Sequence, residues 1–198
     1  MPTAHGSSQQ AMSGIDTARV RIQEADFDVG AELEALQGGR TDLGAVASFT
    51  GLVRGHTPED DISALTLEHY PGMTERAIES MIVEAEARFG VQAALVIHRV
   101  GRLQPGERIV LVAVAASHRR AAFQGCEFLM DYLKTHAPFW KKESTPQGER
   151  WVDARVADDE ALRRWGLASA NAPGGVPASA NASGEVPTPD ADAAADAP

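Results

Sequence analysis

The chain has 198 residues, 43% of them hydrophobic, which is enough for one sizeable core and too few for two comfortable domains. Its formal net charge of -10 disfavours nucleic-acid binding, because such proteins usually carry a basic face that neutralises phosphates. A single cysteine, Cys126, excludes an internal disulfide and a paired-cysteine metal or redox site. The small, polar N-terminal residues do not form a signal-peptide pattern, and no apolar run is long enough to cross a bilayer, so we expect a cytoplasmic protein.

The two ends of the chain differ in composition from its middle. Residues 167–198 are dominated by Ala, Pro, Gly, Ser and Asp and include four acids but no Lys or Arg. Such a segment buries too little apolar surface to offset chain entropy. We therefore predict a disordered N-terminal segment at 1–16, one folded domain at 17–166 and a disordered acidic Ala/Pro-rich tail at 167–198.

The first half of the folded region alternates between strand and helix patterns. Residues 18–27 alternate like a strand, and 29–39 form a short helical pattern that ends in glycines. Two further strands are predicted at 44–54 and 62–70, where β-compatible residues recur. Residues 71–90 carry apolar side chains at helical spacing, with a proline near the start and a glycine at the end, which predicts an amphipathic helix.

The second half continues with a hairpin and a longer helix. Strands at 91–101 and 108–117 flank a Pro-Gly turn and should pair with each other. Ser117 is a plausible N-cap for a helix that reaches Lys134, and a strand-like segment follows at 150–156. This mixture predicts an α+β fold in which helices cover one face of a sheet.

A basic segment surrounds the end of that helix. Lys134 precedes the helix-breaking Pro138, while Lys141 and Lys142 follow an aromatic pair just after it. The turn at the proline allows lysines that are separated in sequence to converge. From Ser117 to Lys142 the chain holds five arginines and lysines against two acids, so this segment predicts a site for a compact anion with an apolar wall.

A second group of cations stands at the start of the same helix. His118, Arg119 and Arg120 oppose the helix dipole, and a bound anion would compensate for this, although a solvated helix end is the alternative. Arg119 and Lys134 are fifteen residues apart, or roughly 22 Å along a helix, so one small ligand cannot touch both. Either the two groups serve different ligands, or a symmetric dimer brings them together, and we favour the dimer.

Other polar side chains are more ambiguous. Arg54 ends a strand and is either a third anion contact or an ordinary edge-strand charge. His98 and His69 are expected to be structural, and Cys126 to be part of the core. Lys134 is expected to be partly desolvated and so able to act as a base or nucleophile. The lack of HExxH, P-loop and GxSxG motifs disfavours zinc, nucleotide-hydrolysis and serine-esterase chemistry.

Six motifs together resemble the large, catalytic subunit of molybdopterin synthase: GAVASFTGLVR, LTLEHYPGM, VIHRVGRLQPGE, ASHRRAAF, DYLKTHAPFWKKE and RWVDAR. The resemblance implies a hammerhead-type α+β fold and a homodimer within a heterotetramer, with a small ubiquitin-like sulfur-carrier subunit at each end. It implies a sulfurtransferase that moves sulfur from the Gly-Gly thiocarboxylate of that subunit to cyclic pyranopterin monophosphate, forming the dithiolene of molybdopterin during molybdenum cofactor biosynthesis. No bound cofactor or metal, no nucleic acid and no membrane partner is implied.

The resemblance also assigns site residues. It implies two catalytic lysines, Lys134 and Lys141. The implied substrate-binding residues are Leu52, Val53, Arg54, His118, Arg119, Lys134, Lys141, Lys142, Glu143 and Arg155, and the implied pocket-lining residues are Phe49 and Met130. Two competing interpretations are an anion-recognising adaptor that docks a ubiquitin-like partner without catalysis, and a phosphosugar-type enzyme that acts alone.

Overall fold

The computed structural model describes residues 18–57, 61–152 and 164–166. The predicted disordered ends at 1–16 and 167–198 lie outside these residues, as does Arg155, and the predicted domain limits stay predictions. Within the described part of the chain, no helix has the length and apolar character needed to span a membrane.

The described residues form three helices and eight strands, and the α+β class is confirmed. In chain order the elements are β1 (Val20–Gln23), α1 (Val29–Gln37), β2 (Ala45–Leu52), β3 (Ala64–His69), α2 (Met73–Phe89), β4 (Val91–Arg99), β5 (Gly101–Leu103), β6 (Arg108–Ala116), α3 (Arg119–Thr135), β7 (Phe139–Thr145) and β8 (Gly148–Val152). Two of the predicted glycine stops are confirmed, because Gly38 and Gly90 cap α1 and α2 with positive φ.

The strands are arranged in two four-stranded sheets. The first has the order β1-β4-β6-β2, in which β1 runs parallel to β4 and the other pairs are antiparallel. The second has the order β5-β3-β7-β8 and is antiparallel throughout. The predicted pairing of β4 with β6 is confirmed, but the chain between them also contributes β5 to the second sheet, which the sequence did not predict.

Successive side chains of β4 point to opposite faces of the first sheet and so belong to two different layers of the core. Ala94 and Val96 face the cluster that α2 and α3 cover, whereas Leu95 and Ile97 face a smaller cluster that α1 covers. Helices α2 and α3 therefore pack on one face of the first sheet, as predicted, and α1 covers part of the other. A third, small apolar cluster lies between the second sheet and the end of β2.

Helix α3 begins one residue later than predicted. His118 is the N-cap, with an extended backbone of φ -137° and ψ 145°, and the prediction that Ser117 caps the helix is wrong. Ser117 follows the last residue of β6, Ala116, and its backbone packs against Gly44. A Cβ added to Gly44 would lie 2.2 Å from the Ser117 carbonyl oxygen. The helix packs closely on the first sheet at Gly125, whose missing side chain leaves room for Val91.

Strand β7 follows directly after the break at Pro138 and was not predicted. It pairs with β3, so that Lys141 lies opposite Leu67 and Glu143 lies opposite Leu65. Neighbouring residues of a strand point to opposite faces of the sheet. Lys141 and Glu143 therefore share one face of β7, and Lys142 lies on the other.

Candidate functional site

A cavity of about 280 Å³ lies where the two sheets meet beside the end of α3. Its walls come from the end of β2 and the segment after it, from β3, β4, β6 and β7, and from the last turn of α3. The lining residues are Leu52, Val53, Arg54, Thr57, Ile62, Leu65, Leu67, His98, Ile109, Lys134, Lys141 and Glu143. The cavity therefore combines an apolar wall with three cations.

The cations converge from three separate elements. Lys134 comes from α3, Lys141 from β7 and Arg54 from the segment after β2, and all three line the same cavity. This is the arrangement that the proline break predicts for the two lysines. The expected desolvation of Lys134 is not found, however, because its side chain is exposed at the rim of the cavity.

Glu143 holds Lys141 in place. Its buried carboxylate accepts a hydrogen bond from Lys141 Nζ at 2.9 Å and another from Arg150 at 3.0 Å. Burial alone would raise the pKa of Glu143, but the hydrogen bonds from Lys141 and Arg150 outweigh it and lower that pKa. The carboxylate thus stays ionised, and it fixes the direction of the Lys141 ammonium.

His98 also lines the cavity, although the sequence suggested only a structural role. Its Nδ1–H donates to the carbonyl oxygen of Arg99 at 2.8 Å, and its ring stacks on Phe139 with a centroid distance of 3.8 Å and an interplanar angle of 18°. Burial lowers the pKa of His98 from its ordinary value of about 6.5 to about 4. The ring is therefore neutral near pH 7.

The cations at the start of α3 lie in a different place. His118, Arg119 and Arg120 line an open cavity of about 580 Å³ together with Gly44 and Ser117. None of these residues lines the first cavity. The first turn of α3 contains no acidic residue that would offset the cations. Within one chain, the structure therefore keeps the two predicted cationic groups apart.

The remaining predicted site residues lie away from both cavities or outside the described residues. Lys142 binds Glu149 at 2.8 Å and lies 5.6 Å from the ring centre of Trp151, on the face of β7 that points away from the first cavity. Phe49 is 41% exposed on β2, and Met130 is partly buried against the core cluster that α2 and α3 cover. Neither lines one of the two cavities.

Several lining residues were not identified from the sequence. They are Thr57, Ile62, Leu65, Leu67, His98 and Ile109. The signal that could have marked His98 is a polar residue directly after the apolar run at 93–97, at a position that shares a face with Val96. Among the described residues, no group of three or more His, Cys, Asp or Glu side chains is placed to hold a metal ion.

Comparisons with known proteins agree on one family. The family model described as MoaE protein matches residues 22–136, more than half of the chain. The chain is 59% identical over 153 residues to the molybdopterin synthase catalytic subunit of Ralstonia nicotianae, covering 77% of this chain and 87% of the relative. It is 55% identical to the solved molybdopterin biosynthesis MoaE protein from Burkholderia ambifaria, with a TM-score of 0.66 and coverage of 76% of this chain and 99% of that chain.

A more distant solved structure shares the fold. It is the protein-protein complex of subunits 1 and 2 of molybdopterin-converting factor from Helicobacter pylori. The matched chain is 24% identical, with a TM-score of 0.60, and the match covers 70% of this chain and 92% of that chain.

Proposed function

The chain belongs to the MoaE family, and we propose that it is the catalytic subunit of a molybdopterin synthase. It acts as a cytoplasmic sulfurtransferase that takes sulfur from the C-terminal thiocarboxylate of a small ubiquitin-like subunit. The acceptor is cyclic pyranopterin monophosphate, and two transfers form the dithiolene of molybdopterin. The observation that carries this proposal is the convergence of Arg54, Lys134 and Lys141 on one cavity.

The charges in the cavity suit the two reactants. A phosphate and a thiocarboxylate are both anionic, so a site that holds them together needs several cations. Among the residues that the structure describes, neither Arg54 nor Lys134 forms an ion pair, which leaves both free to bind a ligand. Lys141 forms an ion pair with Glu143, and this pair orients the lysine side chain. The apolar residues that line the rest of the cavity strengthen these interactions by lowering the local dielectric constant.

Each cation has a distinct role in the proposed reaction. Lys134 acts at the thiocarboxylate carbonyl, either as a proton donor or as a transient acceptor of the acyl group. Lys141 assists proton transfer and the opening of the pyran ring. Arg54, together with His118 and Arg119, holds the phosphate.

The last of these roles requires a second copy of the chain. Helix α3 separates Arg119 from Lys134 by roughly 22 Å at 1.5 Å per residue, and the two residues line different cavities. We therefore propose a homodimer in which the helix start of one subunit completes the lysine cavity of the other, with a small subunit bound at each end. Two-fold pairing forms two such composite sites at once.

Mixed dimers test the shared site. A dimer that pairs an Arg119→Ala chain with a Lys134→Ala chain has one site with both substitutions and one site with neither. We expect each homodimer to be inactive and the isolated mixed dimer to recover about half of the wild-type activity, because one of its two sites is intact. No recovery would show that each site is built from one chain.

Reconstitution tests the function itself. The purified chain is mixed with thiocarboxylated small subunit and cyclic pyranopterin monophosphate, and dithiolene product is measured. We expect Lys134→Ala and Lys141→Ala each to lose at least about a hundredfold in turnover with unchanged affinity for the small subunit. Arg88→Ala, which removes an exposed cation on α2, serves as the control.

The same assay distinguishes the competing interpretations. An adaptor binds the small subunit but forms no product, so a wild-type chain that docks without turnover contradicts the proposal. An enzyme that acts alone converts the pterin without the small subunit, so turnover in the absence of that partner contradicts it as well.

A further inference from the structure

The hydrogen bonding of His98 defines which nitrogen of its ring is available to a ligand. Because a carbonyl oxygen only accepts hydrogen bonds, Nδ1 must carry the proton in its 2.8 Å contact with the Arg99 carbonyl. In a neutral imidazole the other nitrogen is then an acceptor. The second nitrogen, Nε2, makes no hydrogen bond with the described residues.

The ring is held firmly in this orientation. His98 is 8% exposed, and its ring stacks on Phe139 at 3.8 Å. Its backbone is part of β4, paired with Val110 of β6. A side chain that is fixed by packing and by a hydrogen bond on its far side presents its remaining nitrogen in a defined direction.

Burial, more than the surrounding charges, keeps the ring neutral. The charged groups that line the same cavity are Arg54 and Lys134, together with Lys141 and its partner Glu143. The ring of His69 also stacks on Phe139, with a centroid distance of 6.4 Å. Burial is the main reason that the pKa of His98 falls to about 4, and His69 lowers it further. Near pH 7 the cavity therefore contains three cationic donors and one neutral imidazole acceptor.

Nε2 of His98 suits a different kind of ligand group from the one that the cations bind. Arg54, Lys134 and Lys141 can only donate hydrogen bonds, which suits a phosphate or a thiocarboxylate. The carboxylate of Glu143 is already engaged by Lys141 and Arg150. An N–H group of a ligand would therefore find its acceptor at His98, and a reduced pterin carries several such groups on its rings, whereas a simple phosphate carries none.

We propose that Nε2 of His98 accepts a hydrogen bond from a ring N–H group of the pterin substrate, beside the cations that bind its phosphate. This inference rests on the proposed function, because it takes the pterin as the ligand of the cavity. It makes His98 a residue that selects the heterocycle, whereas the cations select the negative charge.

Two substitutions separate this role from a structural one. His98→Asn keeps an amide N–H that can donate to the Arg99 carbonyl, but it has no group at the position of Nε2. His98→Gln can place an oxygen acceptor near the position of Nε2, but it loses the donor to Arg99. A purely structural role therefore predicts that Asn is the better replacement, and an acceptor role predicts that Gln is.

The measurement is equilibrium binding of cyclic pyranopterin monophosphate to the full chain, with inorganic phosphate and the small subunit titrated separately. We expect His98→Asn to bind the pterin about tenfold more weakly than wild type and His98→Gln to bind within about threefold, because one hydrogen bond to a ligand is worth about a factor of ten. Phosphate and small-subunit affinities should be unchanged in both variants, and thermal unfolding confirms that both are folded.

Several outcomes overturn the inference. They are equal pterin affinity in wild type and His98→Asn, a greater loss in His98→Gln than in His98→Asn, or a loss of affinity for phosphate or for the small subunit. The proposed function is judged separately by turnover. A wild-type chain that binds the pterin but forms no product would refute that function, while the binding comparison would still decide the role of His98.

Discussion

Lys141 and Glu143 form an ion pair of 2.9 Å on the cavity-facing side of β7, and the carboxylate is its buried member. Glu143 also binds Arg150, so it is held from two sides and cannot follow the lysine if the lysine moves. The pair therefore acts as a fixed support for the ammonium group. A lysine that is oriented in this way can donate to a reacting group without first losing side-chain entropy.

The first prediction concerns this support. Glu143→Gln removes the charge that orients Lys141 and should lower turnover by about 10- to 100-fold with little change in affinity for the small subunit, because a misplaced catalytic group costs about this much. The control is Glu149→Gln, which disrupts the corresponding pair with Lys142 on the opposite face of the strand. Equal losses in the two variants would contradict the role of Glu143 as the positioning residue.

The second prediction concerns acid stability. The pKa of His98 is lower in the folded chain, at about 4, than its ordinary value of about 6.5, so the unfolded chain binds the extra proton first. The stability from the neutral ring is fully present above pH 6.5 and is lost as the pH falls towards 4. Between pH 7 and pH 5 the wild type should lose about 2 kcal/mol more than His98→Asn in urea unfolding. Parallel losses in the two proteins would show that another group is responsible.

The third prediction concerns the reactivity of Cys126. Burial raises the pKa of its thiol to about 11, and the sulfur lies against the Val112 carbonyl in the core. The thiolate is the reactive form, so a chromogenic thiol reagent at pH 8 should modify the native chain at least about a hundredfold more slowly than free cysteine. Modification should become rapid in urea. Rapid modification of the native chain would contradict the buried position.

The fourth prediction concerns the packing of α3 on the first sheet. A Cβ added at Gly125 would lie 2.6 Å from Val91 Cγ2, so Gly125→Ala should destabilise the chain by about 1 to 3 kcal/mol although alanine favours the helix. Combining it with Val91→Ala removes the clashing methyl group. The double variant should then be more stable than the sum of the two single effects, as measured by urea unfolding, and strict additivity would contradict this contact.

The period-two and helical patterns predicted most of the fold because the relevant segments are strongly apolar. Strand β7 was missed since Phe139, Trp140, Lys141, Lys142 and Glu143 show neither period clearly, and the strand exists only through its pairing with β3 and β8. For the same reason, the sequence placed Lys141 and Lys142 in one group. In a strand, neighbours in sequence are on opposite faces, and only Lys141 lines the cavity.

The candidate site was predictable in its charges and less so in its geometry. Helix geometry alone showed that Arg119 and Lys134 are too far apart for one small ligand. The sequence could not show that His98 of β4 lines the same cavity as Lys134, because this depends on how α3 and the two sheets come together. Nor could it indicate that Lys134 is exposed at the rim.

The two cationic groups lie at the ends of one continuous helix, α3. Its middle is locked against the sheet by Gly125 and buried side chains, while Arg119 and Lys134 occupy its opposite ends. If the helix tilted about its middle, its two ends would move together and in opposite directions. A substitution in its buried middle can therefore displace Arg119 and Lys134 together without contacting either residue.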